Sequence, residues 1–366
     1  MRHDMRTSGR AWIWAGLLCL LGLRAVWAEP TNAAAPFAII ALPDTQYYSW
    51  HYPETFLAQT AWVVSNRAAL NIAFVTHLGD LCQHGTDAPE YEQAERAMRL
   101  LDGQVPYSTC IGNHDVKGGG ELWDRHFGPA RYQGKPWYGG ASASGRSHWQ
   151  TFQAGGYDFL HLNLEFGADS NALSWAQGVL DGHPGQPVIV STHDYLGNGY
   201  RTANGQRIWK ELVSRNPQIF MVLNGHVHGE NRLLSTNAVG RKVIQMLSDY
   251  QDGPNGGDGF LRIIRFNIPV NRIEVQTYSP TLNDYVTGPK SQFACAIAFG
   301  TNIVVEGWIR KAADGNPGGA CIFRDRPERL AQLGGVEWML AAGPAAVNLN
   351  GNRFGINGLR LFQHAQ

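Results

Sequence analysis

The chain has 366 residues, 44% of them hydrophobic and 11% aromatic, with 30 basic and 30 acidic side chains. Arg2, Arg6, Arg10 and Arg24 stand against Asp4 alone in the first 28 residues, so the remainder carries 26 basic and 29 acidic side chains. Such a body can bury a large α/β core, and its mildly acidic balance is the wrong sign for a nucleic acid held through its phosphates.

The chain begins with the pattern of a secretory signal: an Arg-bearing segment to Arg10, an apolar run from Ala11 to Leu23, and Val26-Trp27-Ala28 as a cleavage site before Glu29. Residues 1–28 are therefore expected to be removed, leaving a periplasmic or secreted protein. The run is shorter than the ~20 residues of a spanning helix, so no stable membrane span is expected in the exported chain. No Arg-Arg pair accompanies it, which points to the general export route.

Phe37 to Leu42 is a short apolar run that stops at Pro43-Asp44, as a buried strand would. Tyr47, Tyr48, Trp50 and Tyr52 crowd the next loop and could wall a pocket, together with Tyr195 and Tyr200. A helix over Phe56 to Leu70 follows, with Leu57, Ala61, Val64 and Ala68 on one face. Ile72 to Leu78 is a second strand, delivering Gly79-Asp80, and Glu90 to Leu101 a second helix. Val105 to Ile111 then delivers Gly112-Asn113-His114-Asp115. Strands alternating with helices predict a mostly parallel sheet with helices on its faces, and sites in such sheets form beyond the carboxyl ends of the strands.

Farther on, Trp149 to Gln153 and Tyr157 to Leu164 read as a hairpin, and Ala172 to Leu180 as a helix. Val188 to Ser191 is a buried strand ending at Thr192-His193. Gly205 to Ser214 is helical, and Ile219 to Leu223 runs into Gly225-His226-Val227-His228. Lys242 to Leu247, Phe260 to Phe266 and Arg272 to Thr277 have strand length and predict a second, more antiparallel sheet. The fold class is α/β: two packed mixed β-sheets flanked by helices.

Metal-capable groups thus stand at five predicted strand ends: Asp44 and Gln46, Asp80, Asn113, His193, and His226 and His228, with His114 and Asp115 beside them. An Asp or Asn closing a strand is ordinarily a turn residue or cap. Five polar clusters, each terminating an apolar strand, are not the work of turn chemistry alone. Imidazole, carboxylate and carbonyl donors suit a pair of transition-metal ions better than a thiolate zinc site, and a carboxylate such as Asp80 can bridge two ions about 3.5–4 Å apart. His77, inside the second strand, reads as a core histidine; His84 reads as a solvated loop residue.

In this order the clusters resemble the calcineurin-like metallophosphoesterases, whose pattern is Asp-x-His, Gly-Asp, Gly-Asn-His-Asp/Glu, His, and Gly-His-x-His. The resemblance spans residues 36–293 and implies a sandwich of two sheets between helices. It further implies that Asp44, Asp80 and His228 hold a first metal, with Gln46 where the family has His, and that Asp80, Asn113, His193 and His226 hold a second. His114 would protonate the leaving group, with Asp115 orienting it. The implied activity is hydrolysis of small phosphomonoesters or phosphodiesters, with hydroxide as nucleophile and two divalent or trivalent ions as cofactors. These would be manganese, iron or zinc, with manganese favoured by the oxygen donor of Gln46. The alternative is a secreted binding protein on the same fold with a degenerate site, for which the Gln46 departure is the argument.

Residues 294–366 lose this pattern apart from Asn302 to Ile309, and are expected to form an appended β unit, a tail, or a shifted reading frame fused to a complete domain. Cysteine is sparse: besides Cys19 there are Cys82, Cys110, Cys295 and Cys321, with no C-x-x-C spacing. In an exported chain, pairing of Cys82 with Cys110 and of Cys295 with Cys321 is the expectation.

Overall fold

The structure, a computed structural model, describes residues 35–309 together with 337–340, 354–356 and 359–364. The signal segment and Cys321 lie outside the described residues. Among the described residues, no helix is long and apolar enough to cross a membrane.

The first half of the domain runs β1 (Phe37–Leu42), α1 (Gln46–His51), α2 (Pro53–Asn66), β2 (Ile72–His77), α3 (Ala88–Met98) and β3 (Tyr107–Thr109). After α4 (Glu121–Phe127) and α5 (Pro129–Tyr132) come the antiparallel strands β4 (Tyr138–Ala141), β5 (His148–Ala154) and β6 (Tyr157–Leu164). The chain then continues through α6 (Ser170–Gly182), β7 (Val188–Thr192), α7 (Ala203–Glu211), β8 (Ile219–Asn224), β9 (Gly229–Thr236) and β10 (Lys242–Asp249). It closes with β11 (Leu261–Asn267), β12 (Arg272–Ser279), β13 (Asp284–Val286), β14 (Phe293–Phe299) and β15 (Ile303–Trp308). A separate small sheet pairs β16 (Glu337–Leu340), β17 (Phe354–Ile356) and β18 (Leu359–His364) in the order β16-β18-β17.

Strand alternation explains the layers. On β1, Ala38, Ile40 and Leu42 point to a cluster with Phe56, Val63, Tyr91 and Met98 of α2 and α3. Phe37, Ile39 and Ala41 point the other way, into an interior with Phe74, Phe159, Phe220 and Phe266. Beyond that interior, Leu160, Leu162 and Val190 pack outward against Ala176, Leu180, Ile208 and Leu212 of α6, α7 and the segment after α7. Helix, sheet, sheet, helix is the order that these three clusters define. Full burial of a residue of this size contributes about 1.5–3 kcal/mol, and β1, buried on both faces, contributes on both.

The two expected sheets are the halves of one curled sheet, with strand order β3-β2-β1-β11-β12-β14-β15-β10-β8-β7-β6-β5-β4. The links are β14, which pairs antiparallel with β12, and β15, which pairs with β14 and meets β10 at Lys242 and Val305. The boundary expected at Phe293 therefore falls on the first residue of an integral strand. Ile297, Ile303 and Val305 are buried in the interior cluster, so residues 294–308 pack as part of the domain. The cause of the misreading is local: β14 is Ala-rich, with weak alternation.

Cys82, Cys110 and Cys295 are buried free thiols, so the expected Cys82–Cys110 bridge does not form. Cys82 packs under the helices with Tyr91, whereas the Cys110 thiol donates to Asn163 Oδ1, 2.6 Å away on β6. They face opposite sides of the same sheet. The aromatic stretch after Asp44 is also not a loop but α1, whose first turn closes when the Ser49 amide donates to the Thr45 carbonyl at 3.0 Å.

A chain ending at Gln292 lacks β14 and β15 and exposes the edges of β12 and β10 together with interior apolar surface. It is expected to lose its cooperative thermal transition. A melt like that of the full chain, followed by circular dichroism, would show the two strands to be dispensable.

Candidate metal centre

The predicted residues converge at the carboxyl edge where β1, β2, β7 and β8 end. Asp44, one residue beyond Pro43, is 1% exposed and accepts the His226 amide at 3.1 Å through Oδ2. The Thr45 amide donates to the Asp80 carbonyl at 3.1 Å, which ties the loops after β1 and β2 together. Asp80 Oδ1 accepts the His114 amide at 2.8 Å, and its Oδ2 lies 3.2 Å from His193 Nε2. His193 Nδ1 donates to the Leu78 carbonyl at 2.9 Å. That bond fixes the ring and turns Nε2 toward Asp80 and toward Asn113 Oδ1, 3.0 Å away. A histidine held through one nitrogen by a carbonyl is oriented for ligation through the other.

The ligand atoms of Asp80, His193 and His226 lie within 4.8 Å of one another. Phe166 sets its ring edge against both imidazoles, at 5.8 and 5.7 Å. These three residues and Asn113 are the four assigned by resemblance to the second metal. The first set is drawn together less completely. Asp44 is in place, and Gln46 is 1% exposed, its Nε2 donating to Gln83 Oε1 at 2.7 Å while its own Oε1 is buried without a partner. His228 is half exposed, with Nε2 2.6 Å from Gln251 Nε2 and Nδ1 against Asp252.

The glycines of the motifs have a steric cause. A Cβ on Gly112 would stand 2.1 Å from Asp80 Oδ1, and one on Gly225 would stand 2.1 Å from Asp44 Oδ1. Both backbones close directly over a carboxylate, which only glycine permits. Asp80 and His226 themselves take left-handed conformations, at φ 50° and 73°. Non-glycine residues in that region cluster at functional sites and persist only where the surroundings hold them.

Charge tells the same story. Burial raises the Asp44 pKa well above its ordinary value, and the neighbouring Asp249 carboxylate raises it further. Burial disfavours a charged His193, yet Asp80 and Asp44 pull its pKa up to about 10. A pocket that drives an imidazole to hold its proton and a carboxyl to take one up is short of positive charge. Together with the unpartnered Gln46 Oε1, this fits oxygen- and nitrogen-bound divalent cations.

Two assignments are revised by the geometry. Asp115 does not orient the His114 ring: it is fully buried and accepts the backbone amides of Leu81 (3.2 Å), Cys82 (3.1 Å) and Gly112 (2.9 Å). It clamps the loop after β2 to the loop after β3. Burial and the nearby Asp80 raise its pKa to about 7 despite those three donors. The ring of His114 is held by the Gln83 carbonyl, 2.7 Å from Nδ1, with Lys117 Nζ 3.0 Å from the same nitrogen. The aromatic wall also divides. Tyr48 and Tyr195 are buried in the core, and Trp50, Tyr52 and Tyr200 are exposed. His77 is a core histidine that Thr45 Oγ1 meets at 2.9 Å, its pKa pushed down to about 3 by burial. His84 pairs with Glu90 at 2.6 Å.

Sequence reasoning missed Asp249 and Gln251. Asp249 closes β10 as Asp44 and Asp80 close theirs, and the predicted strand stopped two residues too early to show it. A cleft of about 480 Å³ lined by Ala73, Pro106 and Gln186 opens at the opposite edge of the sheet and carries none of the site residues.

The sequence model of the calcineurin-like phosphoesterase family matches residues 37–230. The chain is 36% identical over 278 residues to a protein of Bacillus subtilis (strain 168) known as uncharacterized protein YvnB, a match that covers 71% of this chain and 22% of that one. It thus spans about a fifth of that relative's length. Among solved structures it is similar to the purple acid phosphatase PPD1 of yellow lupin seeds, with a TM-score of 0.48 at 13% identity over 71% of this chain and 54% of that one. It is also similar to a dimetal phosphatase of Danio rerio, with a TM-score of 0.45 at 14% identity over 67% of this chain and 96% of that one.

Asp115→Asn replaces an acceptor of three backbone amides with one that presents an NH2 to at least one of them. A loss of about 1–3 kcal/mol is expected, from a buried donor left unsatisfied, read as a fall in melting temperature. An unchanged melt would remove Asp115 from the role of clamp.

Proposed function

Since the chain belongs to the calcineurin-like phosphoesterase family, whose members are phosphoester hydrolases that work with two metal ions, we propose that it hydrolyses small phosphomonoesters or phosphodiesters with His114 as general acid. The observation that carries this reading is the convergence of Asp44, Asp80, Asn113, His193 and His226 on one edge of the sheet, with the His114 amide bonded to Asp80 at 2.8 Å.

Two divalent ions, when bound, supply the attacking oxygen nucleophile and neutralise charge on the ester oxygens. Asp80, His193, His226 and Asn113 would hold one of them; Asp44, Asp80, His228 and the Gln46 carbonyl would serve the other. Manganese is the favoured metal, because carboxylate and carbonyl oxygens suit it better than they suit zinc. The chain's own contribution is proton delivery and position. With the His114 Nδ1 proton given to the Gln83 carbonyl, Nε2 is the atom that hands a proton to the leaving oxygen. Because the His114 amide is tied to Asp80 at 2.8 Å, the backbone that carries the acid is anchored to a residue that would hold metal. Trp50 lies 5.1 Å edge-on from His84 and 6.1 Å from Tyr47, so a ring-bearing leaving group would meet an aromatic surface on this side of the site.

The Gln46 departure is the one feature that favours a binding protein with a degenerate site. The buried, unpartnered Gln46 Oε1 answers it, because a carbonyl oxygen is itself a donor for a hard cation. The N-terminal pattern supports export, with the mature chain starting at Glu29 and residing in the periplasm or outside the cell. Amino-terminal sequencing of protein recovered from an exporting host checks this, and an intact Met1 in the exported fraction overturns it.

Hydrolysis of p-nitrophenyl monoester and diester substrates with added manganese tests the activity. His114→Ala is expected to lower turnover about 10²- to 10⁴-fold for alkyl esters and by less for p-nitrophenyl esters, with both metals retained. Equal losses for the two leaving groups would exclude His114 as the acid.

A further inference from the structure

We propose that Asp249, at the end of β10, is a ligand of the first metal site and supplies there the donor that the family takes from the histidine replaced by Gln46. This rests on the dinuclear reading above and extends it to a residue outside the motifs.

The register places Asp249 at the right level. β10 runs parallel to β8 with Leu247 opposite Asn224, so Asp249, two residues on, stands level with His226, two residues beyond Asn224. On its other side β10 pairs with β9, where Asp249 lies opposite Gly229, the residue after His228. The chain around it is therefore fixed from both flanks. Its Oδ1 accepts the Gln251 amide at 3.0 Å. Its Oδ2 is buried with no hydrogen-bond partner and lies 4.0 Å from His228 Nε2. Donor atoms sharing one ion at bond lengths of about 2.1 Å stand about 3–4 Å apart, and this pair has that spacing.

A fully buried carboxylate with one oxygen unsatisfied costs several kcal/mol unless a cation meets it. The Gln46 Oε1 is likewise buried and unpartnered. The first site thus has Asp44, Asp80 and Asp249 as anionic oxygens, a carbonyl from Gln46, and His228 as its only nitrogen. Exchange of the usual imidazole for an amide at position 46 is offset by a carboxylate from β10. The site keeps its charge and becomes richer in oxygen.

The test is manganese uptake by the full-length protein after dialysis, measured by mass spectrometry of the metal, with melting followed in parallel in chelator and in manganese. The parent is expected to take up two ions per chain, and Asp249→Asn one, with affinity at the lost site lower by about tenfold or more. In chelator the variant should melt no lower than the parent, because a buried carboxylate oxygen without a partner gives way to an uncharged group; in manganese it should melt lower. Asp249→Glu, which keeps the charge on a longer arm, should recover part of the uptake. A parent with two ions and an Asp249→Asn protein with two of equal affinity overturn this inference alone. An Asp249→Asn protein that melts lower or fails to fold in chelator assigns Asp249 to the fold and overturns it also. A parent that takes up fewer than two ions overturns the dinuclear reading, and this inference with it.

Discussion

The constraint on which the structure turns is the burial of negative charge at one edge of the sheet. Asp44, Asp80 and Asp249 are at most 1% exposed, each at the end of a strand whose register is fixed by its neighbours. Burying a carboxylate carries an effective penalty of several kcal/mol, and of the imidazoles around these three only His193 is itself fully buried and within 3.2 Å of a carboxylate oxygen. The response is visible in the titration of the group. Asp44 is raised far above its usual range, Asp249 to about 6 by burial, and His193 to about 10. Protons stand where cations would serve better, and because the ligands must shed those protons to bind, metal affinity in such a site is linked to pH.

Holding the carboxylates there costs the backbone as well. Left-handed conformations at Asp80 and His226 cost of order 1–3 kcal/mol each, and they persist because bonds on every side over-determine them. Asp115 draws in three amides from two loops, Thr45 bonds back to the Asp80 carbonyl, and His226 donates to Asp44. Gly112 and Gly225 then close over the carboxylates they precede or follow in space. In this light Gly112 and Gly225 are packing requirements imposed by a carboxylate on another loop, and Gly79 is one imposed by the His193 ring, so the motifs form one interlocked object rather than separate signatures.

Much of this was legible in the sequence, because runs of apolar residues that stop at a charged one mark strand ends, and the four residues of the second metal set all stood at such ends. Asp249 escaped because its strand continues past Leu247 through Ser248 and Asp249, whose polar side chains broke the apolar run although both are buried. The part of Asp115 was misjudged because adjacency in sequence to His114 implied contact, whereas the turn sends its carboxylate back under the loop. The Cys82–Cys110 pairing failed because both lie beyond their strand ends, where the chain carries Cys82 under the helices and Cys110 against Asn163 of β6. β14 was hidden because an Ala-rich strand gains its stability from neighbours that the sequence does not name.

The site also depends on how the sheet curls. Asp44 and Asp80 follow β1 and β2 in one half, while His193, His226 and Asp249 follow β7, β8 and β10 in the other, and β14 with β15 completes the hydrogen-bonded path between the halves. The candidate ligands of the two halves meet at one edge because the aromatic interior of Phe37, Phe159, Phe220 and Phe266 holds the halves face to face. A cation shared across this seam binds the folded arrangement and not the open chain, so its binding free energy adds to the packing of the halves as RT ln(1 + [L]/Kd). Core and site are therefore thermodynamically coupled: a cavity in the interior loosens the ligands, and loss of a ligand that spans the seam, such as Asp80 against His193, removes a tie between the halves that hydrophobic burial alone does not replace.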